Sequence, residues 1–437
     1  MKYKSSYYNT VLQYEEKLIV FNSISGQLLT FDAVSGEKAK EILAFPNDYP
    51  DDEIFRHLLK HGCIIEEGCD ELVAVEEIER RSYLNDDELF LIVLPTEQCN
   101  FRCKYCYESF VKKEMSEHTQ AELIKFVKTR VGSVKSMTVE WFGGEPLLSE
   151  KVIANLSGAF MQICQEHGIP YAASMTTNGY RLDAAMVNRL KNYHVLHYQI
   201  TIDGLEDTHD KQRVRADGSG TWRQIINNLR DIRDNVKSSM VHIMLRTNLS
   251  KPIINEIDEY LNFLEQEFKN DRRFHFLWRM AGDWDNMQDQ SFESQFCSPD
   301  DYYNVLSMAS QRRFSNRKLR DMLIPGGLVC YASKYNSFVI GSDGVIHKCT
   351  LGLDEAKNNV GYLGGTKEIQ DEMWVCPSDF LDEKCVKCKK RPICQGKRSC
   401  PNSNICICGP DVSNFEQILI NLVQSDNKVI KYSSEKE

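Results

Sequence analysis

Leu89-Phe-Leu-Ile-Val-Leu94, followed by Cys99-Asn-Phe-Arg-Cys103-Lys-Tyr-Cys106, is the stretch from which the rest of this 437-residue chain is read. The first six residues are a strand-sized apolar run, too short to cross a membrane. Three cysteines follow on a short loop, on the side of a sheet where α/β folds carry their sites. Three ligands leave one metal coordination position open. By spacing alone the triplet suits zinc or an iron-sulfur cluster about equally.

Working outward, strand and helix patterns alternate. Candidate strands run over 89–94, 137–142, 171–177, 197–203, 241–248 and 274–278. Helical stretches over 121–131, 151–166, 222–236 and 254–268 lie between them. That repetition predicts parallel βα units, with sites at the carboxyl ends of the strands, and six units suffice for a partial (β/α)6 TIM-like barrel. Ahead of it, 8–14, 17–22 and 27–31 read as short strands around a turn at Gly26. Capped amphipathic stretches over 35–43 and 52–61 then give a winged-helix-like pattern. The charged run Glu76 to Asp87 reads as a solvated helix or linker. Beyond about Pro325 the chain is rich in Cys, Gly, Pro and Lys with little periodicity, so bound metal is expected to replace an apolar core.

Composition removes several function classes. At 42% apolar and 27% charged the chain is of ordinary globular make-up, and its length predicts two or three domains. No run approaches a membrane span, and the amino terminus has no apolar segment of the secretory kind, so a soluble, cytoplasmic protein is expected. A net charge of -10 without a separate basic block argues against nucleic acid. Sixteen cysteines in a reducing compartment point to metal rather than disulfides. Cys63, Cys69, Cys164 and Cys297, outside the clusters, read as small buried hydrophobes.

The cysteine triplet, with aromatic Tyr105 before Cys106, resembles the signature of the radical S-adenosylmethionine (SAM) enzymes. Three further segments match that family in order: Trp141-Phe-Gly143-Gly144-Glu145-Pro146, Thr176-Thr-Asn178-Gly179-Tyr, and Gln199-Ile-Thr201-Ile-Asp203-Gly204, each ending a candidate strand. The resemblance implies a [4Fe-4S] cluster on Cys99, Cys103 and Cys106, with SAM on the fourth iron and a 5′-deoxyadenosyl radical that abstracts hydrogen from substrate. It implies that Gly143 and Gly144 let the backbone approach the ligand, and that Glu145 accepts from the SAM ammonium. Asn178, Thr201 and Arg213 become further SAM contacts, Tyr105 a cofactor neighbour, and Asp203 either a catalytic residue or a turn acid.

The later cysteines resemble a SPASM domain, the auxiliary-cluster module of peptide-modifying radical SAM enzymes. Cys330, Gly344 and Cys349 fit its spacing, as do Cys385-Val-Lys-Cys388 and Cys394; Arg398 stands where the family has a Cys, with Cys400 two further on. By matching, one auxiliary [4Fe-4S] cluster takes Cys330, Cys349 and Cys400, with Cys297 or Cys376 as a possible fourth ligand. The other takes Cys385, Cys388, Cys394 and Cys406 or Cys408, making three clusters in all.

The first 85 residues resemble a RiPP recognition element, which captures a precursor leader by adding it to an exposed sheet edge. The domains expected are 1–85 for leader binding, 86–318 for the barrel, 319–415 for SPASM and 416–437 for a terminal helix and tail. As a whole the chain resembles a maturase of ribosomally synthesised peptides, most of all the ranthipeptide group, which joins a Cys sulfur to a side-chain carbon of another residue. The resemblance implies a precursor peptide partner and a flavodoxin- or ferredoxin-type reductant. A sactipeptide α-carbon thioether, a carbon-carbon crosslink such as Lys to Trp, and a sulfatase-maturing oxidation stand as alternatives.

Overall fold

The structure is a computed structural model of the chain and describes residues 1–282, 290–314, 320–321, 323–372, 374–375, 383–395, 414–425 and 429–432. Two compact units divide it: Met1–Leu84, Ser310–Cys330 and Cys376–Glu437 in one, Asn85–Ala309 and Tyr331–Val375 in the other.

In the first unit, β1 (Tyr3–Ser5) is followed by β2 (Asn9–Tyr14), β3 (Lys17–Asn22) and β4 (Gln27–Phe31), which pair antiparallel in sequence order. Gly26, at φ +67°, makes the turn into β4. β5 (Ile64–Glu66) pairs antiparallel with β1. Three helices, Ala33–Ala44, Glu53–Lys60 and Glu71–Tyr83, each start at an aspartate whose carboxylate accepts from a backbone N–H of the first turn. Leu18, Val20, Leu29 and Phe31 pack against Ala39, Ile42, Phe55 and Leu58 to form the core. The third helix is not simply solvated. Val75, Glu79 and Tyr83, four residues apart, lie on its buried face, and Glu79 pairs with Arg391 at 3.3 Å.

The second unit is built on β6 (Glu88–Val93), with β7 (Phe101–Cys103), β8 (Ser136–Trp141), β9 (Tyr171–Thr177), β10 (Val195–Thr201), β11 (Arg213–Arg215), β12 (His242–Leu249) and β13 (Phe274–Met280) following. β6, β8, β9, β10, β12 and β13 neighbour one another in that order, all parallel, with helices between them. That is the α/β arrangement of a TIM-like (β/α)6 sheet. All six candidate strands are present within two residues of their expected ends, because each is an apolar run closed by a turn-forming segment. On the free side of β6 the sheet continues through β14 (Ser337–Ile340), parallel to β6, and then β15 (Val345–His347) and β16 (Asn359–Tyr362), both antiparallel to their neighbours. The sheet is therefore mixed.

The later segments of the first unit include short helices at Glu383–Val386 and Arg391–Cys394 and a longer one at Phe415–Ser425. The last buries Ile418, Leu419 and Leu422, and sets Phe415 5.4 Å from Phe21. β17 (Ile430–Tyr432) then pairs parallel with β4, giving a sheet of order β17-β4-β3-β2. No helix of the described residues is long and apolar enough to cross a membrane.

Candidate functional site

β6 ends at Val93, and the chain runs through Pro95 to Cys99 before β7 pairs antiparallel with β11. That pairing sets Cys103 opposite Arg213. The loop leaving β8 docks on the same segment: Gly144 N donates to Thr96 O at 3.3 Å and Glu145 N to Gln98 O at 2.9 Å. A Cβ at Gly143, whose φ is +109°, lies 2.4 Å from Thr96 O, and one at Gly144 lies 2.4 Å from Gln98 O and 2.7 Å from Glu97 O. These glycines are filled from one side by the backbone that leads into Cys99.

Glu145 is fully buried, and its carboxylate accepts from Leu147 N at 3.0 Å, Thr177 Oγ1 at 2.7 Å and Asn178 N at 2.7 Å. A carboxylate offers about four acceptor positions, so the ends of β8 and β9 use three of them. Burial raises its pKa, against the lowering effect of those donors. Asn178 donates to Asn100 Oδ1 at 2.8 Å and approaches Cys99 Sγ at 3.9 Å. Thr201, at the end of β10, is half-buried beside Arg246 in the parallel register.

Tyr105 ties the cysteine loop to the far strands. Its hydroxyl donates to Asp203 Oδ2 and accepts from Arg213 Nη1 at 2.5 Å; Arg213 and Asp203 are 4.0 Å apart. Asp203 Oδ1 accepts from Asn248 N at 2.8 Å, at the end of β12. Burial pushes the Tyr105 and Asp203 pKa values up. Burial also works against the Arg213 charge, but Tyr105, Cys103 and Asp203 hold it, and the net shift is upward.

His209 was not singled out in the sequence. It is fully buried, its Nδ1 accepts from Asp203 N at 3.1 Å, and its Nε2 lies 3.1 Å from Thr221 Oγ1, which donates to Arg213 O at 2.7 Å. Nδ1 as acceptor leaves Nε2 as the protonated nitrogen of a neutral ring. Burial, then the Arg213 charge, holds the His209 pKa well below its usual value. The signal available was its place on a helical turn six residues after Asp203 and four before Arg213.

The thiols of the triplet are close enough to perturb one another. Burial raises Cys99 to about 12 and drives Cys103 and Cys106 up as well, with neighbouring thiols adding to the shifts of Cys99 and Cys106. Three such thiols ionise together only beside strong positive charge, which a bound metal centre supplies. The donor set fits an iron-sulfur cluster, in which each thiolate takes a different iron. A single zinc ion draws its sulfurs to about 2.3 Å. Among the described residues no three Cys, His, Asp or Glu side chains converge on one single-ion position.

Of the later cysteines, Cys349 is buried at the end of the β14–β15 hairpin, where its Sγ accepts from Leu351 N at 3.3 Å. Cys330 is exposed and belongs to the first unit. Cys385 and Cys394 are buried, Cys388 partly so, and Cys388 N donates to Cys385 O at 3.1 Å. Cys376, Cys400, Cys406 and Cys408 lie outside the described residues. Cys63, Cys164 and Cys297 are buried, with pKa values pushed up to about 12, 11 and 11 by burial, as expected of inert thiols. Cys69 differs: it is exposed, because Gly68 and Asp70 hold it on the turn that enters the third helix.

Residues 93–261 match the radical SAM superfamily, so this part of the chain is a radical SAM domain, with which go SAM and a [4Fe-4S] cluster. The Fe-coproporphyrin III synthase of Methanosarcina barkeri is 25% identical over 172 residues, 39% of this chain and 40% of that protein. The chain thus spans well under two thirds of that relative. The cysteine-type anaerobic sulfatase-maturating enzyme of Clostridium novyi is 24% identical over 338 residues, 70% of this chain and 87% of that protein. Among solved structures, native anSMEcpe with bound AdoMet and Cp18Cys peptide superposes with a TM-score of 0.57 at 17% identity, covering 77% of this chain and 97% of that one. The likeness is one of fold.

Proposed function

We propose that the chain is a radical SAM enzyme that installs an intramolecular thioether, Cys sulfur to side-chain carbon, in a ribosomally made precursor peptide. The observation that carries the radical SAM part is the lock between Tyr105, Asp203 and Arg213, which fastens the three-cysteine loop to the ends of β10 and β12. Cys99, Cys103 and Cys106 would hold the cluster. When bound, the cluster and SAM supply a 5′-deoxyadenosyl radical that takes a hydrogen atom from the substrate.

The chain's own residues position and insulate. Arg213 offsets negative charge at Cys103, and the Tyr105 hydroxyl links the two charged groups by accepting from that guanidinium and donating to Asp203. Glu145, held by three donors from β9 and its own turn, fixes the Asn178 backbone, leaving the Asn178 side chain to line the space above Cys99. Gly143 and Gly144 keep the cysteine loop pressed to β8. Thr201 ends β10 and Asp203 follows it, at the same carboxyl edge of the parallel strands as the cysteine loop, where they would help to hold SAM. Auxiliary clusters fit a peptide maturase, and Cys349 in the second unit and Cys385, Cys388 and Cys394 in the first are described cysteines that would serve them.

The testing experiment is anaerobic reconstitution with iron, sulfide, SAM and reductant. Deoxyadenosine should form in the native chain and vanish in Cys103→Ala; retained turnover in that variant contradicts the assignment. Tandem mass spectrometry of a peptide product decides the bond formed, a loss of two hydrogens with Cys blocked to alkylation marking the thioether. A second reading, oxidation of a cysteine in a protein without a crosslink, draws support from the length of the likeness to the Clostridium novyi enzyme. A formylglycine product in the same spectra would establish it instead.

A further inference from the structure

The edge of β4 is where the small amino-terminal sheet has room for another strand, and the chain's own β17 sits on it. Ile430, Lys431 and Tyr432 run parallel to Leu29, Thr30 and Phe31. The occupant alternates as an added strand must: Ile430 and Tyr432 pack against the core of the first unit, while Lys431 is exposed. Tyr432 has a built seat. Its ring centroid is 5.7 Å from that of Phe31 and 5.1 Å from that of His57, and burial, then the nearby Glu53 and Asp52 carboxylates, raise the pKa of its hydroxyl.

Yet the strand is short. Three residues form it, none of them fully buried, whereas Thr30 and Phe31 beneath are. Few ladder bonds and two half-buried side chains hold it, so a longer extended segment with the same pattern has more backbone groups to offer the same edge.

We propose that β17 is a resident competitor: the β4 edge is a peptide-strand site that takes an aliphatic residue, any residue, then an aromatic with a hydrogen-bonding tip, and β17 must leave before another peptide enters. This gives the precursor peptide of the function proposed above a seat on the first unit, and rests on that function only for the identity of the incoming peptide. Tethering gives β17 an effective concentration on the order of millimolar, so an incoming peptide sees an affinity reduced by the tether and regained when the tail is removed.

The probe is a fluorescent synthetic peptide of residues 426–437, followed by anisotropy. A chain ending at Ser425 should bind it at least ~10-fold more tightly than the full chain does, and a Tyr432→Asp peptide should not bind. Should the shortened chain fold poorly, the full-length double variant Ile430→Asp/Tyr432→Asp keeps every residue and should bind the native peptide as tightly. Equal affinity for native and tail-less chains overturns the proposal, since the peptide would then be using another edge such as β2. Absence of binding to both altered chains overturns it as well. SAM cleavage plays no part in the readout, so failure of the enzymatic reading would leave this result standing.

Discussion

Gly144 has three backbone atoms of Gln98 and Glu97 within 2.7 Å of where a Cβ would stand. Backbone on that side has nowhere to yield without moving Cys99. Gly144→Ala should therefore cost about 1–3 kcal/mol of stability, the range for overpacking, and lower the iron bound per chain after anaerobic reconstitution. Iron at the native level would show that the close approach is incidental. Tyr105→Phe tests the neighbouring lock. It removes the hydroxyl between Asp203 and Arg213, leaving a buried pair at 4.0 Å without its bridging proton donor, and should cost roughly 1–3 kcal/mol by thermal melting. Deoxyadenosine formation should fall with it, while Tyr107→Phe, one residue past Cys106, should leave the Asp203 and Arg213 contacts untouched. Cys99, Tyr105, Gly144, Glu145, Asn178 and Asp203 could be singled out in the sequence because each lies in a short motif following a strand, whereas Arg213, which opens β11, was singled out by resemblance alone. What the motifs withhold is partnership: that Glu145 takes three protein donors, and that His209 braces Asp203 directly and Arg213 through Thr221, depend on contacts between segments that spacing does not encode.

The six parallel strands could be read because β6, β8, β9, β10, β12 and β13 each combine an apolar run with a polar, turn-forming exit. β14, β15 and β16 escaped. They are three or four residues long, and β14 is buried at every position, so it offers no alternation to read. The helix expected over 254–268 proved to be Lys251–Asn255 and Ile257–Leu264 followed by a π-helical turn, because Glu256 breaks the run, its carboxylate spent on Leu205 N and Thr208 Oγ1. The hairpin that extends the sheet carries a fully buried Lys348, whose ammonium donates to Lys334 O at 2.7 Å and Asp371 Oδ2 at 3.2 Å. Removing one member of such a pair strands the other, at a typical cost of 3–5 kcal/mol. Lys348→Met should be destabilising by about that much, and adding Asp371→Leu should restore part of it in a double-mutant cycle. Strict additivity of the two losses would show that the pair is not coupled.

The two units differ in how their titratable groups respond to acid. In the first, burial, then the neighbouring charges of His61 and Lys60, lowers the His57 pKa, and burial with Lys60 lowers that of His61. The folded unit thus refuses protons that the unfolded chain accepts below pH 6.5, so stability is present above that value and lost as pH falls through it toward the folded pKa values. Cys63 sets an opposite limit. Burial raises its thiol from 9.0 to about 12, so its contribution is intact below pH 9 and lost as pH rises across that window. In the second unit the lowered pKa of His209 is countered by Glu108, raised to about 8 by burial, and by the upward shifts of Glu145 and Asp203, whose contributions grow as pH falls. For metal-free protein taken from pH 7.5 to 5.5, amide exchange corrected for intrinsic rates should quicken more in β3 and β4 than in β8 and β9. His57→Gln should reduce the acid response of β3 and β4 and leave that of β8 and β9 alone. His57 also faces Tyr432, so acidification that charges it acts on the seat of β17 as well, and the same samples should bind the 426–437 peptide differently at the two pH values. Equal acceleration in both sheets would falsify the assignment of the acid response to the His57 and His61 pair.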